Sequence, residues 1–498
     1  MRNKCLIYMA VASSMLASTA VSATEFRSST VRALGMGGSN VASTNGVDAT
    51  YWNPAAYGFF GESEDSAEAK SVDNSRLTDK TWGMDLGLDA GGKAFGPLDK
   101  NTTILKSLVA PSSIQTTNLA GASVGQTVAD VAAFSEGIAS LDPSPMGVGA
   151  FADVGTGVRI GSYGINIRGA LDVGGTVVLD NQNSKLDVFN ALLGGTVPGG
   201  TPSTVPVSPT LYFTDAQRQA MYQGLISPAG GLAGAEAVAV ITSYEATLNA
   251  NNPTSIQPQD AANNLVAAAT APGDITKNAT KWALRGALVK ELGVTYGHAI
   301  NDRLSIGGVL KYMQAELFDY QTDILAATGN TATSNNGATE TSAGFGLDLG
   351  VMYRMPSYQF GLTVRNINAP SFTYSATGYT YKMDPQAKVG VAWMPSDEFT
   401  LEAGYDLTEN KGVVETDKTQ YWNLGLEWDA WSVLALRAGA YQNMSQSDLG
   451  LITTAGLGIN MWAVRLDIAG AISSNKITFE GKNVPAYAMA SVALASDF

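Results

Sequence analysis

Gly83-Met84-Asp85-Leu86-Gly87-Leu88-Asp89 alternates apolar with small or acidic residues, one by one. In an extended strand successive side chains point to opposite faces, so Met84, Leu86 and Leu88 share one face and Asp85, Gly87 and Asp89 the other. Runs of the same period recur at 146–161, 164–180, 281–298, 303–321, 343–354, 358–368, 386–394, 398–407, 420–429, 433–442, 452–460, 462–471 and 486–498. Together they predict about 14 strands, most of them long enough for the roughly 9 to 11 residues that a tilted strand needs to cross a bilayer.

The connections between these runs alternate in length. Asn301-Asp302, Pro356-Ser357, Pro395-Ser396-Asp397, Asp429-Ala430-Trp431 and Asn460-Met461 are short and built from turn formers, whereas every other connection is long. This is the asymmetry of an outer-membrane barrel, with short periplasmic turns and longer external loops. Both termini then fall on the periplasmic side, which requires an even strand number. Aromatic residues mark the same levels: Trp82, Tyr296, Tyr353, Trp393, Trp428 and Trp462 lie near the short-turn ends, and Tyr312, Tyr405 and Trp422 near the outer ends.

The inward parity collects charge of both signs. Arg159, Arg168, Lys311, Arg354, Arg365, Lys388, Arg437 and Arg465 face Asp85, Asp153, Asp172, Glu291, Asp348, Glu402, Glu427 and Asp467. Facing lipid, each would cost kilocalories, so they belong in a lumen, either paired or wet. Two long segments, 91–145 and 181–280, do not alternate and are placed outside the membrane; Thr214 to Leu225 and Gly234 to Leu248 have helical character.

The N-terminus supplies Arg2 and Lys4, an apolar stretch from Cys5 to Ala20, and the small residues Val21-Ser22-Ala23. This order predicts a secretory signal over 1–23, with the mature chain starting near Thr24. The single cysteine, Cys5, falls within that signal, which leaves the rest without disulfides, thiol nucleophiles or thiolate metal sites. A net charge of −14 argues against a nucleic-acid surface. No cofactor or metal is expected. The sole histidine, His298, lies on the outward parity beside a turn, a poor place for a catalytic triad. Gly35 to Gly38 is not followed by Lys-Ser/Thr, so it is not a phosphate loop, and no spacing among Asp319, Asp323 and Asp384 matches a calcium loop.

Before the first strand comes a segment that is not strand: Arg32-Ala33-Leu34-Gly35-Met36-Gly37-Gly38, then Asp48-Ala49-Thr50-Tyr51-Trp52-Asn53-Pro54-Ala55. Its glycines permit tight backbone and close approach, and Pro54 drives Asn53 to an extended conformation. A barrel of about 14 strands has room to receive it. The segment resembles the N-terminal hatch of the FadL/TodX-type outer-membrane transporters, with their Asn-Pro-Ala motif at Asn53, Pro54 and Ala55. More closely, the chain resembles the conjugal transfer TraF-like outer-membrane proteins, whose Ala-x-Gly-Met-Gly-Gly corresponds to Ala33 to Gly38. The run from Glu291 to Gly297 and the stretch Phe318-Asp319-Tyr320 also look like that family. Phe498, preceded on its parity by Leu494 and Val492, looks like the signal read by the barrel assembly machinery.

The resemblance implies an all-β, antiparallel transmembrane barrel with a hatch over residues 24–79, a barrel over 80–498 and helical or irregular external loops. It implies residence in the outer membrane of a Gram-negative bacterium, against its lipid and lipopolysaccharide. In the transporter relatives hydrophobic molecules pass the wall beside the hatch, so a hydrophobic small-molecule ligand is expected here, held off by Gly35, Gly37, Gly38, Asn53, Pro54 and Ala55. The lumen charges Arg159, Arg168, Asp348, Arg354, Arg365, Glu402, Glu427, Arg465 and Asp467 are expected to anchor the hatch. The alternative partner is a protein of a transfer or secretion apparatus, contacted through the long loops. A thioredoxin-like pilus-assembly protein shares the TraF name; a mature chain without cysteine cannot carry its redox activity.

Overall fold

The structure is a computed structural model. It describes residues 30–60, 80–104 and 140–497, apart from positions 99, 102, 143, 145, 181, 208–211, 252–256, 275, 276, 278, 324–331, 334–338, 376, 377, 415, 416, 432, 462, 480 and 481. The predicted signal, Trp462 and Phe498 lie outside the described residues.

Alternation becomes a closed antiparallel barrel of fourteen strands: β1 (Trp82–Phe95), β2 (Gly147–Ile160), β3 (Tyr163–Val178), β4 (Lys281–Ala299), β5 (Leu304–Asp323), β6 (Glu340–Met355), β7 (Tyr358–Arg365), β8 (Gln386–Ser396), β9 (Phe399–Asp406), β10 (Tyr421–Ala430), β11 (Leu434–Asn443), β12 (Leu451–Met461), β13 (Val464–Ser473) and β14 (Tyr487–Asp497). Each strand pairs with its sequence neighbours, and β14 pairs with β1 from Gly83↔Asp497 to Lys93↔Tyr487, which closes the ring. Closure leaves no unpaired edge, the condition for a sheet to stand in lipid.

The outer parity is apolar and open. Leu88, Ile165, Leu310 and Ile468 expose 50%, 59%, 60% and 51% of their surface. A continuous belt of this kind is solvated by hydrocarbon, not by water. Among the described residues no helix is long and apolar enough to cross a membrane. At the short-turn end Trp82, Tyr163, Tyr296, Tyr353, Tyr358, Trp393 and Trp428 all face outward and are exposed, forming a girdle. His298 is exposed there too, stacked on Tyr296.

Three turns lie later in the chain than the sequence predicts. Pro395-Ser396 belongs to β8, Asp429-Ala430 ends β10, and Asn460-Met461 ends β12, so these turns fall at 397–398, 431–433 and 462–463. The reason is the pairing: Asp429 and Ala430 face Ala435 and Leu434, and Asn460 and Met461 face Arg465 and Val464, so the ladder runs through residues whose chemistry favours turns. Similarly, β1 runs through Gly91–Phe95, so the first long connection begins at 96.

The connection from β3 to β4 folds into four helices: α3 (Val188–Leu193), α4 (Asp215–Leu225), α5 (Gly234–Asn251) and α6 (Pro258–Thr270). The predicted helices are α4 and α5; α4 starts at a capping box between Thr214 and Gln217. Phe213, Met221, Leu225, Ile241, Tyr244 and Leu265 form their shared core, which reaches down to Met146 and Val177 at the barrel rim. Arg218 and Glu245 pair inside it at 2.9 Å. The connection from β7 to β8 carries a hairpin, Ser371–Tyr374 with Tyr379–Lys382, that folds inward. Its Phe372, Tyr374, Tyr379 and Tyr381 pack on Met313, Ala315 and Leu317 of the inner wall.

Replacing an outward residue halfway along a strand tests the membrane reading. Leu88→Arg is expected to destabilise the folded barrel in lipid vesicles by about 2–4 kcal/mol, against roughly 0–1 kcal/mol for Trp82→Arg at the interface, measured by denaturant titration.

Candidate functional site

Residues 30–60 are almost wholly buried, and what buries them is the inner wall near the short-turn end. The segment folds as α1 (Val31–Gly35), α2 (Ala49–Trp52) and a 3-10 turn over Pro54–Gly58. Asn53 is extended and caps that turn, its side-chain oxygen accepting from Ala55 N at 3.1 Å. Its amide donates to the carbonyls of Val41 within the segment and Val351 on β6, both at 3.0 Å. One side chain thus fixes the turn and ties it to the wall, while Pro54 presets the backbone at the first position. Ser305 Oγ of β5 donates to Ala55 O at 2.6 Å.

Close approach is set by glycine on both sides. Gly37 has φ +65°, and a Cβ there would stand 2.7 Å from Ala440 N. The wall answers with inward glycines on successive strands. Side chains at Gly297, Gly307, Gly350 and Gly361 would collide with Gly58, Pro54, Asn53 and Val41, and side chains at Gly425, Gly439 and Gly456 with Met36, Gly37 and Gly35. These wall glycines are the functional residues that sequence reasoning missed. The signal was present, since each sits at inward parity near a short turn, but inward glycine also suits simple packing.

Charge fastens the rest. Arg32 donates to Glu427 at 2.8 Å and to Ser43 O at 3.1 Å, and also bonds Asn40. Glu427 pairs with Arg437 at 2.5 Å, Arg437 with Asp467 at 2.6 Å, and Asp467 with Arg465 at 2.7 Å. Five groups of alternating sign therefore run from α1 across β10, β11 and β13. Glu402 accepts from the backbone N–H groups of Ala42 and Ser43 at 3.0 and 2.9 Å. Arg159 and Arg354 each lie 3.9 Å from a ring centre, over Phe60 and Phe59 respectively. Burial works to lower the Arg32 pKa, but the Glu427 charge outweighs it and holds Arg32 above its usual value. Burial pushes the Asp48 carboxyl up, against the attraction of Arg32 and the hydrogen bond donated by Asn40.

The predicted site residues therefore divide. Gly35, Gly37, Gly38, Asn53, Pro54 and Ala55 lie in the segment, and Arg159, Arg354, Glu402 and Glu427 touch it. Arg465 and Asp467 stand one contact behind. Arg168 pairs with Asp153 at 2.6 Å beneath Tyr51. Asp348 and Arg365 belong instead to a wall cluster with Lys311 and Asn366. Arg32 is the anchor that the prediction left out.

On the external side of α1 the lumen turns apolar. Val31 and Leu34 meet Phe151, Tyr421, Tyr441, Ile452 and Tyr487, the three tyrosines being edge-to-face neighbours. Lys93 of β1 reaches Asp417 at 2.8 Å, tying the connection after β9 across this space.

With this geometry in hand, the chain can be set beside known proteins. Residues 226–406 match the family model described as F plasmid transfer operon, TraF, protein. Solved structures similar to this chain include the toluene transporter TbuX of Ralstonia pickettii, at 11% identity and TM-score 0.42 over 94% of this chain and 97% of that one. The toluene transporter TodX of P. putida is 10% identical, with TM-score 0.40 over 95% and 99%. A FadL homologue of Pseudomonas aeruginosa is 9% identical, with TM-score 0.43 over 97% and 100%. No curated protein matches by sequence. The resemblance read from Ala33–Gly38 and Asn53–Ala55, to FadL-type barrels with a TraF-like relation, is matched by these findings.

Two variants separate close approach from mere packing. Gly439→Val is expected to unseat the segment and open the bond after Arg32 to trypsin, whereas Gly169→Val, on the outer parity, leaves it protected. Asp48 adds a pH dependence. Because its folded pKa is raised, its contribution to docking is complete below the ordinary carboxylate range and is lost as pH rises through the raised value. Asp48→Asn should remove that part of the trypsin profile.

Proposed function

We propose that this protein is an outer-membrane barrel that passes small, mainly hydrophobic molecules past its N-terminal segment, which acts as a plug. The observation that carries the reading is the seating of residues 30–60. A polar collar of Glu402, Glu427, Arg159 and Arg354 grips the segment at the short-turn end, and an aromatic tier lies directly on its external side. Apolar solute reaching Tyr421, Tyr441 and Tyr487 is desolvated there, and further passage requires α1 to move. The grip is made of hydrogen bonds and ion pairs that water can replace, so moving the plug exchanges partners instead of stranding charge. Lipid, lipopolysaccharide and the barrel assembly machinery are the surroundings this reading calls for, with both termini periplasmic.

A second reading, a structural component of a transfer or secretion apparatus, is favoured by the stretch that matches the TraF family, which includes α5 and α6 of the external helical cap. Removing 181–280 separates the two. Loss of partner capture with uptake intact supports the apparatus; loss of uptake alone supports transport.

The direct test is uptake of a labelled aromatic hydrocarbon and a long-chain fatty acid by cells lacking the gene and cells with it restored. A deficit is expected, repaired by the intact chain but not by an Asn53→Ala, Pro54→Ala variant of equal abundance. Deleting 26–60 should raise conductance in planar bilayers; unchanged conductance removes the plug from the mechanism.

A further inference from the structure

The external half of the lumen is not symmetrical. Against β4, β5 and β6 it is filled by the inward hairpin, through Phe372, Tyr374 and Tyr381, and by Val413 and Val414. A Cβ on Gly174 of β3 would collide with Val414, so this filling reaches around to β3. The opposite side is open. Between the outer ends of β1, β12 and β13 lies a depression of about 460 Å³, walled by Ala94, Phe95 and Ile477 and rimmed by Asp448, Ser474, Asn475 and Lys476. That volume is within the usual range for small-molecule sites.

The walls of the depression continue inward. Phe95 is buried in the same apolar cluster as Phe151, Tyr441, Tyr487 and Leu34, with Ile477 packed against its edge. From the rim to α1 an apolar surface therefore runs down one side of the barrel only. The rim is polar and balanced. Asp448 and Lys476 carry opposite charges, Asn475 donates its amide to Asp448 O at 3.0 Å, and the Ser474 hydroxyl accepts from Leu451 N at 3.0 Å. A carboxylate of fixed sign gains no net field there, whereas a single hydroxyl or amine on an apolar body finds acceptors at the rim and Phe95 and Ile477 beneath.

We infer that this depression is the binding port through which solute joins the lumen, and that its ligand is a small, uncharged molecule with an apolar body and one hydrogen-bonding end. The inference rests on the transport reading but is tested apart from it. In a Cys5→Ser background, Ser474→Cys supplies one thiol for an environment-sensitive dye, and Ser357→Cys, in a turn at the other end, supplies the control. In lipid nanodiscs 1-naphthol should give a saturable blue shift at 474 and none at 357. Ile477→Trp, which fills the depression, should raise the half-saturating concentration at least tenfold; should it fail to fold by gel mobility, Asn475→Trp on the exposed rim replaces it. An equal response at both labels, or a response that the filling variant leaves unchanged, overturns the port. Uptake of 1-naphthol by cells is read in parallel: uptake without a dye response rejects the port and leaves transport standing, and a dye response without uptake does the reverse.

Discussion

The constraint on which everything else depends is the width of the barrel. Fourteen tilted strands enclose more space than inward side chains fill by themselves, and a wide lumen is either a water channel or a receptacle for chain. Here it receives chain from two directions. The N-terminal segment occupies the short-turn end, and the hairpin between β7 and β8 folds in from the other. Inward residues then need not be large. Gly307, Gly350, Gly425 and Gly439 are small because backbone already stands where their side chains would be.

That seating also explains why the inner wall is so highly charged without behaving as a pore lining. Glu427 is shared by Arg32 of α1 and Arg437 of β11, and Glu402 spends its two oxygens on the backbone N–H groups of Ala42 and Ser43. Irregular backbone in a closed lumen needs partners for its donors and acceptors, since it has no ladder of its own. The wall carboxylates supply acceptors, the Asn53 amide supplies donors, and Arg159 and Arg354 cover the rings of Phe60 and Phe59.

The barrel was legible in the sequence because its evidence is periodic and repeated fourteen times: parity, strand count and the side of the short turns all follow from alternation. Turn positions slipped by a residue or two where pairing carried Asp429 and Asn460 into the ladder against their local preference. The lumen charges were legible as a set but not as partners. Parity says that Asp348 and Glu427 both face inward; only the fold gives one to Lys311 and the other to Arg32. The inward hairpin at 371–382 left no sequence signal that distinguishes it from a loop in water, because Phe372, Tyr374, Tyr379 and Tyr381 acquire a core only once β4 and β5 are beside them. Helices α3 and α6 were hidden for a related reason. They are short or rich in alanine and asparagine, and their burial comes from packing on each other rather than from a strong apolar stripe.

A plug that must move poses an energetic problem that the division of chemistry along the lumen resolves. Had residues 30–60 been held by a large apolar interface, release would expose that area to water at about 25 cal/mol per Å², with nothing gained in return. An ion-paired and hydrogen-bonded seat behaves differently: its groups are strongly held while dry, yet each regains hydration when separated, so the net difference is a small residue of large opposing terms. The apolar surface that α1 does present, Val31 and Leu34, faces the aromatic tier, where an apolar solute arriving from outside can take over the contacts of Tyr421 and Tyr441 that α1 gives up. On this argument the solute lowers the cost of displacing the segment that blocks it, and water alone does not.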